Sequence, residues 1–473
     1  MKHLYILLFV LPLIGFGQGW EQTFSGGQYN WGHDVQQTTD GGYIITGTTE
    51  SFGDPDVFLI KTDEYGEEEW SQTFGGTFVD EGWSVQQTID GGYIIGGSTT
   101  SFNPVTEMNG EIIGVSQMYL IKTDEYGEEE WNRTFGPDEN VFSFVVPDVG
   151  PVSVLSTGSY GYSVQQTIDG GYVMCGKTQY QNNNPQIQEG IYIIKTTPNG
   201  NPQWSNIIQI QDEFSFIGTS IKETDDGGYI IGGNVDLYGI WSYTTCLVKI
   251  DQNGEEEWIQ VFGDDNITLN EFFCEVQQTN EGGYISFSSF NYGPIPSIQL
   301  VKTDENGEEE WTQFIEGEYQ FYDRTYSGKQ TEDGGYIMCG RVRTNMYEDD
   351  KLIFLFQCYL LKTDENGNEE WSQKYGINGS MGYSVQQTSD EGYIICGTTY
   401  NSPSFEEPEI YLIKTDSEGN VETTSTIELP TPTSKRELVK TTTILGQENT
   451  TIKNQPMIEI YDDGSTEKKI VLE

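Results

Sequence analysis

Gly82-Trp83-Ser84-Val85-Gln86-Gln87-Thr88-Ile89-Asp90-Gly91-Gly92-Tyr93-Ile94-Ile95-Gly96-Gly97 is one copy of a unit that recurs along nearly the whole chain. The tyrosine after its glycine turn returns as Tyr43, Tyr93, Tyr172, Tyr229, Tyr284, Tyr336 and Tyr393, at spacings of 50, 79, 57, 55, 52 and 57 residues. A lysine turn follows each copy, at Lys61, Lys122, Lys195, Lys249, Lys302, Lys362 and Lys414. A tryptophan recurs as often, at Trp20, Trp70, Trp131, Trp204, Trp258, Trp311 and Trp371. A period of this length specifies a propeller, a solenoid or an array.

Each unit offers four strands. In the second they cover residues 83–88, 93–98, 118–123 and 128–134, joined through Asp90-Gly91-Gly92 and Asp124-Glu125-Tyr126-Gly127. Four antiparallel strands on short turns make a propeller blade. Apolar residues occupy both faces of the third strand, with Tyr119 and Ile121 on one and Leu120 on the other, as a strand packed between two neighbours requires. The tryptophan of the last strand is read as a wedge between blades. The Asp-Gly-Gly turns are read as needing positive φ at the second glycine, such as Gly171. The chain opens on a tryptophan strand, residues 20–24, and the last unit stops after Lys414-Thr415-Asp416-Ser417-Glu418-Gly419. The first strand is therefore expected to complete the last blade, removing the edges that a solenoid would leave exposed. The fold class is all-β: a seven-bladed β-propeller of four-stranded antiparallel blades, plus a small C-terminal β module. The recurring Asp-x-x-Gly-x-x-x-Trp pattern resembles the docking motif of quinoprotein-type propellers and the repeats of secreted propeller proteins of Bacteroidota. That resemblance implies the fold and not the chemistry.

Residues 1–18 read as a signal peptide, with Lys2 and His3 ahead of an apolar run from Leu4 to Ile14 that is too short to span a bilayer. Residues 19–423 hold the repeats, 424–434 form a linker around Pro430-Thr431-Pro432, and 435–473 form the terminal module. Charge balance changes at that boundary: 16 basic and 66 acidic residues precede it in the mature chain, against six and eight from Thr424 onward. Leu445-Gly446-Gln447, Pro456, Tyr461-Asp462-Asp463-Gly464 and Glu467-Lys468-Lys469-Ile470-Val471 make the tail resemble the C-terminal sorting domain of the type IX secretion system of Bacteroidota. Gln447 stands where members of that family usually carry arginine. The resemblance implies export across the outer membrane, with the type IX machinery as a partner and the protein secreted or held at the cell surface.

A formal net charge of −51 offers no basic footprint for nucleic acid and no attraction to anionic lipid. No segment has transmembrane length. The six cysteines form no CxxC; they are expected as buried free thiols, Cys246 and Cys274 being the least implausible pair for a disulfide. After removal of the signal only His33 remains, and no Gly-x-Ser-x-Gly elbow accompanies it, so a serine triad lacks support. The glutamate runs, such as Glu67-Glu68-Glu69, repeat in nearly every unit and read as a solvated outer strand whose charge the repeated lysines partly offset. The pairs Gln36-Gln37, Gln86-Gln87, Gln165-Gln166, Gln277-Gln278 and Gln386-Gln387 lie on the innermost strand and suggest a polar, neutral channel.

Length variation is confined to two kinds of connection, and a meander puts both on one face. The inserts are Ser101 to Gln117, Pro137 to Ser159 and Arg341 to Gln357. They carry Phe142, Phe144, Arg341, Arg343 and Tyr347, which are the candidate ligand-binding residues, for a glycan or a surface protein. Asp264-Asp265 and Glu348-Asp349-Asp350 are unique acidic spots where calcium is conceivable; no other cofactor is indicated, and the few basic residues disfavour a quinone. The function expected is binding or display outside the cell. The alternative is an extracellular polysaccharide-active hydrolase or lyase using carboxylates of the variable loops.

Overall fold

The computed structural model describes residues 19–421, except 51–52, 103, 107–111, 137–140, 147–149, 156–157, 181–187, 210–214, 237–242, 264–272, 293–294, 317–323, 349–350, 377–378 and 401–406, together with 438–443, 456–461 and 466–470 of the tail. Two compact units result, Met1–Val421 and Glu422–Glu473. The first holds seven four-stranded antiparallel sheets. Six run in chain order, the second blade being Asp80–Gln87, Tyr93–Thr99, Gln117–Thr123 and Glu129–Phe135. The seventh is closed by the N-terminal strand: Trp20–Phe24 pairs antiparallel with Pro408–Thr415, Trp20 opposite Lys414 and Phe24 opposite Ile410. In the second unit Leu438–Thr443, Pro456–Tyr461 and Thr466–Ile470 form a three-stranded antiparallel sheet.

The elaborated connections differ from one another. Those around the second blade carry short hairpins, Pro104–Thr106 with Ile112–Gly114 and Val141–Val146 with Gly150–Leu155. The segment from Arg341 to Gln357, expected as a loop, instead extends the blade: Tyr336–Glu348 and Lys351–Thr363 pair in unbroken register over 13 residues each. Its β-branched and aromatic residues, among them Val342, Thr344, Tyr347, Ile353, Phe354 and Phe356, suit a strand.

Blade packing follows from the wedge. At all seven interfaces the indole of one outer strand meets the tyrosine of the next blade, with ring centroids 5.7 to 6.1 Å apart. The indole also lies on the glycine of the next blade's Asp-x-x-Gly turn. A Cβ on Gly127, where φ is +80°, would come within 2.5 Å of Trp70. In six of the seven turns an aspartate accepts two backbone N–H groups, as Asp63 Oδ1 does from Tyr65 and Glu67 at 2.9 Å, which is the expected Asx turn; in the third blade Thr197 stands in its place.

The repeated lysines are buried, which corrects their expected place on a solvated strand. Lys122 is 2% exposed, and its ammonium meets Asp90 of the glycine turn at 3.1 Å, Glu130 at 3.1 Å and the Thr123 carbonyl at 2.8 Å. One charge thus ties the inner turn to the outer strand. It also fixes the second glycine: a Cβ on Gly92 would fall 2.6 Å from the Lys122 ammonium and 2.1 Å from the Thr123 carbonyl. Positive φ belongs to the first glycine of the pair, +89° at Gly91 and +80° at Gly170, and not to Gly171, which is excluded from substitution by the Thr196 carbonyl at 2.1 Å. All six cysteines are buried and free, Cys246 and Cys274 included.

Gly91 and Gly127 separate backbone strain from docking. Both have positive φ, but nothing lies within 4 Å of a Cβ on Gly91. Gly91→Ala should cost roughly 1–2 kcal/mol, the left-handed penalty alone. Gly127→Ala should cost a further 1–3 kcal/mol, roughly, from overpacking against the indole. Denaturant midpoints measure both; equal losses would show that indole docking does not constrain the turn.

Candidate functional site: the channel mouth

The innermost strand of each blade enters from the elaborated face and leaves through the glycine turn on the other. In six blades it carries a β-bulge near its start, at Gly32/Asp34, Gly82/Ser84, Gly161/Ser163, Gly218/Ser220, Thr325/Ser327 and Gly382/Ser384. A bulge re-aims the unpaired residue. The residues so released are His33, Trp83, Tyr162, Thr219, Tyr326 and Tyr383. The fifth blade has no register shift in Cys274–Gln278, and Phe273 lies just before it.

These side chains form an aromatic collar. His33 stacks on Trp83 at 4.1 Å with planes 8° apart, and meets Tyr383 edge-on at 6.2 Å. Trp83 meets Tyr162 at 6.0 Å, Tyr383 meets Tyr326 at 4.9 Å, and Tyr326 meets Phe273 at 6.3 Å. Thr219 interrupts the circle, its hydroxyl donating to the Cys274 carbonyl at 2.7 Å. All of these except Tyr326 line a cavity of about 90 Å³.

Below the collar every blade offers one polar side chain that accepts a backbone N–H of the next. The acceptors are Asp34, Ser84, Ser163, Ser220, Glu275, Ser327 and Ser384, at 2.9 to 3.4 Å, and the ring is complete. One tier lower, Gln36, Gln86, Gln165 and Gln386 do the same at 2.6 to 2.8 Å. The second glutamine of each pair, or its replacement, reaches the other way, as Gln87 does to the Thr39 N–H at 2.9 Å. The glutamines are therefore staples between blades. The expectation of a neutral channel is corrected at the fourth and sixth blades, where Lys222 and Lys329 replace the first glutamine, and by Asp34 and Glu275.

Both carboxylates are committed. Asp34 accepts from Ser384 at 2.6 Å and from the N–H groups of Val35 and Val85 at 2.9 Å each. Glu275 accepts from Ser327 at 2.8 Å and from the Gly328 N–H at 3.2 Å, and is ion-paired with Lys329. Burial, reinforced by the neighbouring Lys222, pulls the Lys329 ammonium down to about 7; burial likewise lowers Lys222. His33 Nδ1 lies 2.7 Å from the Gly82 carbonyl. A carbonyl can only accept, so Nδ1 carries the proton and Nε2 keeps its lone pair. Burial outweighs that bond and holds the imidazole at about 4, hence neutral at ordinary pH. Burial raises the phenols of Tyr326 and Tyr383 to about 12.

Of the expected ligand contacts, Arg341 reaches this site. Its guanidinium carbon is 5.9 Å from the ring centre of Tyr326 and 4.7 Å from that of Phe356, and one nitrogen is 3.5 Å from Met381 Sδ. Arg343 lies two residues further along the extended strand, its Cα opposite that of Phe356. Phe142 and Phe144 sit on the hairpin backbone opposite Val154 and Val152, and Tyr347 opposite Leu352. The side chains of these three lie outside the described residues, as do Asp264, Asp265, Asp349 and Asp350. Among the described residues no group of three or more His, Cys, Asp or Glu side chains could hold a metal ion. The collar itself was missed. Its signal was the residue after the glycine of each inner strand, aromatic in Trp83, Tyr162 and Tyr383 and histidine in His33.

No family model matches the chain, and no curated protein matches it. Solved structures similar to it include a protein of unknown function from Dyadobacter fermentans, 7% identical over 83% of this chain and 97% of that one, with a TM-score of 0.46. A polysaccharide lyase of family PL25, an ulvan lyase, is 10% identical over 85% of this chain and 97% of that one, with a TM-score of 0.46. Sqt1 from Chaetomium thermophilum, bound to the N-terminus of ribosomal protein L10, is 11% identical over 83% and 98%, with a TM-score of 0.44. Likeness at these identities concerns fold alone. The chain is a seven-bladed β-propeller able to present a ligand site at its channel.

Proposed function

We propose that this protein is an exported propeller that binds a saccharide outside the cell, at the aromatic collar. The observation that carries the reading is the collar itself: five bulges and Phe273 turn six rings toward one axis, on the face where the connections vary. Partly buried aromatic rings with polar groups beneath them suit the apolar face and hydroxyls of a sugar. The Tyr326–Arg341 contact extends the surface toward the elaborated sixth blade. Titration with neutral and acidic oligosaccharides tests this. Trp83→Ala should weaken binding roughly tenfold, about 1.4 kcal/mol, with the circular dichroism unchanged. Full affinity in that variant would move the site elsewhere, and binding of a protein but no saccharide would sink the reading.

Export rests on the apolar leader and on the tail resembling a type IX sorting domain, whose three strands follow the linker. Removing residues 435–473 should abolish surface display in a host with that secretion system and leave the propeller folded. Normal display of the shortened chain, assayed on cells and medium, would refute it.

A second reading, a polysaccharide-active hydrolase or lyase, is favoured by His33. A neutral imidazole protonated at Nδ1 keeps an Nε2 lone pair that can accept a proton from a bound sugar. Asp34 and Glu275, both committed, make a hydrolytic carboxylate pair the weaker variant. Release of reducing or unsaturated ends would distinguish turnover from binding. The premise, a histidine kept neutral, has its own test. The unfolded chain takes up this proton near 6.5 and the folded one only near 4. Between those values the unfolded state binds more protons, so stability falls as pH drops through 6.5 and levels off below about 4. The loss should be about 3 kcal/mol. His33→Gln should flatten that part of the denaturant-midpoint profile from pH 7 to 4; an unchanged slope would mean that the imidazole is not held neutral.

A further inference from the structure

We propose that the cavity beneath the collar is an anion subsite, so that the saccharide seated above it is an acidic one whose carboxylate or sulfate group reaches down to Lys222. The inference rests on the saccharide reading and sharpens it. Glutamine at this level of the inner strand closes a bond between blades at four interfaces. Lysine has no acceptor atom and cannot take the neighbouring N–H. Lys222 therefore gives up a bond that the ring uses elsewhere and puts a cation into the channel, which the architecture itself does not call for.

Among the described residues Lys222 has no hydrogen-bonding or ion-pairing partner, whereas Lys329 is paired with Glu275. Neither channel carboxylate bonds it: each accepts from three other donors, and Asp34 gives Lys222 only a longer-range attraction that offsets part of the effect of burial. Ser163 and Ser220 accept N–H groups of Ile221 and Val276, which leaves each O–H to donate. An ammonium and two hydroxyl donors without acceptors call for a group that only accepts and carries negative charge. The size agrees: a cavity of about 90 Å³ has room for a carboxylate or sulfate group. The mutual repulsion of Lys222 and Lys329, which lowers the latter, is relieved by an anion between them. The chain as a whole, with a formal net charge of −51, repels a polyanion, so a local cation such as Lys222 is needed to hold one.

Isothermal titration of the full chain with neutral, uronate-bearing and sulfated oligosaccharides of equal length tests the subsite. At least one acidic set should bind tenfold or more tightly than the neutral set, and raising salt from about 50 to about 500 mM should weaken only the acidic binding. Lys222→Gln restores the residue found at this level in five other blades and so preserves the fold. It should abolish the acidic advantage and leave neutral binding unchanged. Equal affinity for neutral and acidic sets, or an acidic advantage that survives Lys222→Gln, overturns the subsite while leaving saccharide binding intact. Absence of binding by every set, or binding indifferent to Trp83→Ala, overturns the saccharide reading and the subsite together. The uronate and sulfate arms identify which anion is recognised.

Discussion

Seven times around the ring an indole packs against a glycine of the following blade, and the rest of the molecule depends on that contact recurring. A closed ring has no slack: an interface that opened by an ångström would have to be absorbed by the other six. The glycine serves twice, taking a positive φ that turns the chain and leaving room for the ring. The tyrosine beside it completes the wedge, so the apolar layer between blades is set by three residues of the repeat.

Charge works beneath this layer. Each blade buries one lysine whose ammonium meets an aspartate and, in most blades, a glutamate of an otherwise overwhelmingly acidic surface. Removing either partner of such a pair leaves a charge without compensation, which is far more damaging than replacing the pair as a whole. Burial pushes the turn aspartates up, but the threonine and lysine hydrogen bonds outweigh it and hold Asp90 and Asp333 below their ordinary range. Their stabilising contribution is present above pH 4 and lost as pH falls through the lowered value. The fifth blade shows the exception, Glu281 replacing the aspartate and Lys302 donating to the Gly282 carbonyl instead.

The fold was legible because the chain repeats its tyrosine, lysine and tryptophan seven times, and because strands and turns declare themselves locally. Closure by Trp20–Phe24 was legible by counting. The candidate site was only half legible. Lys222 and Lys329 stand out as departures from Gln-Gln-Thr, in Ile221-Lys222-Glu223-Thr224 and Gly328-Lys329-Gln330-Thr331. The bulges do not: one extra residue leaves no mark in an apolar alternation, yet it decides whether Trp83 faces a neighbour or the axis. The burial of Lys122 was hidden for a similar reason, since its three partners come from three separate strands and turns. The continuation of the sixth blade past Arg341 was hidden because an insert and a longer hairpin have the same sequence length.

Closure of the seventh blade by the first strand has a consequence for how the molecule comes into being. Trp20 and Lys414 are register partners almost four hundred residues apart, so the pairing belongs to the slowest class of contact, one whose loop entropy is paid before any bond is gained. A chain delivered N-terminus first brings out an orphan strand and then six blades in an open arc with two raw edges. The clasp is made last, when Pro408–Thr415 arrives, and only then do the seven indole contacts become mutually enforcing. Whatever keeps the arc from pairing with its neighbours during that interval is as much a part of making this protein as the repeat itself.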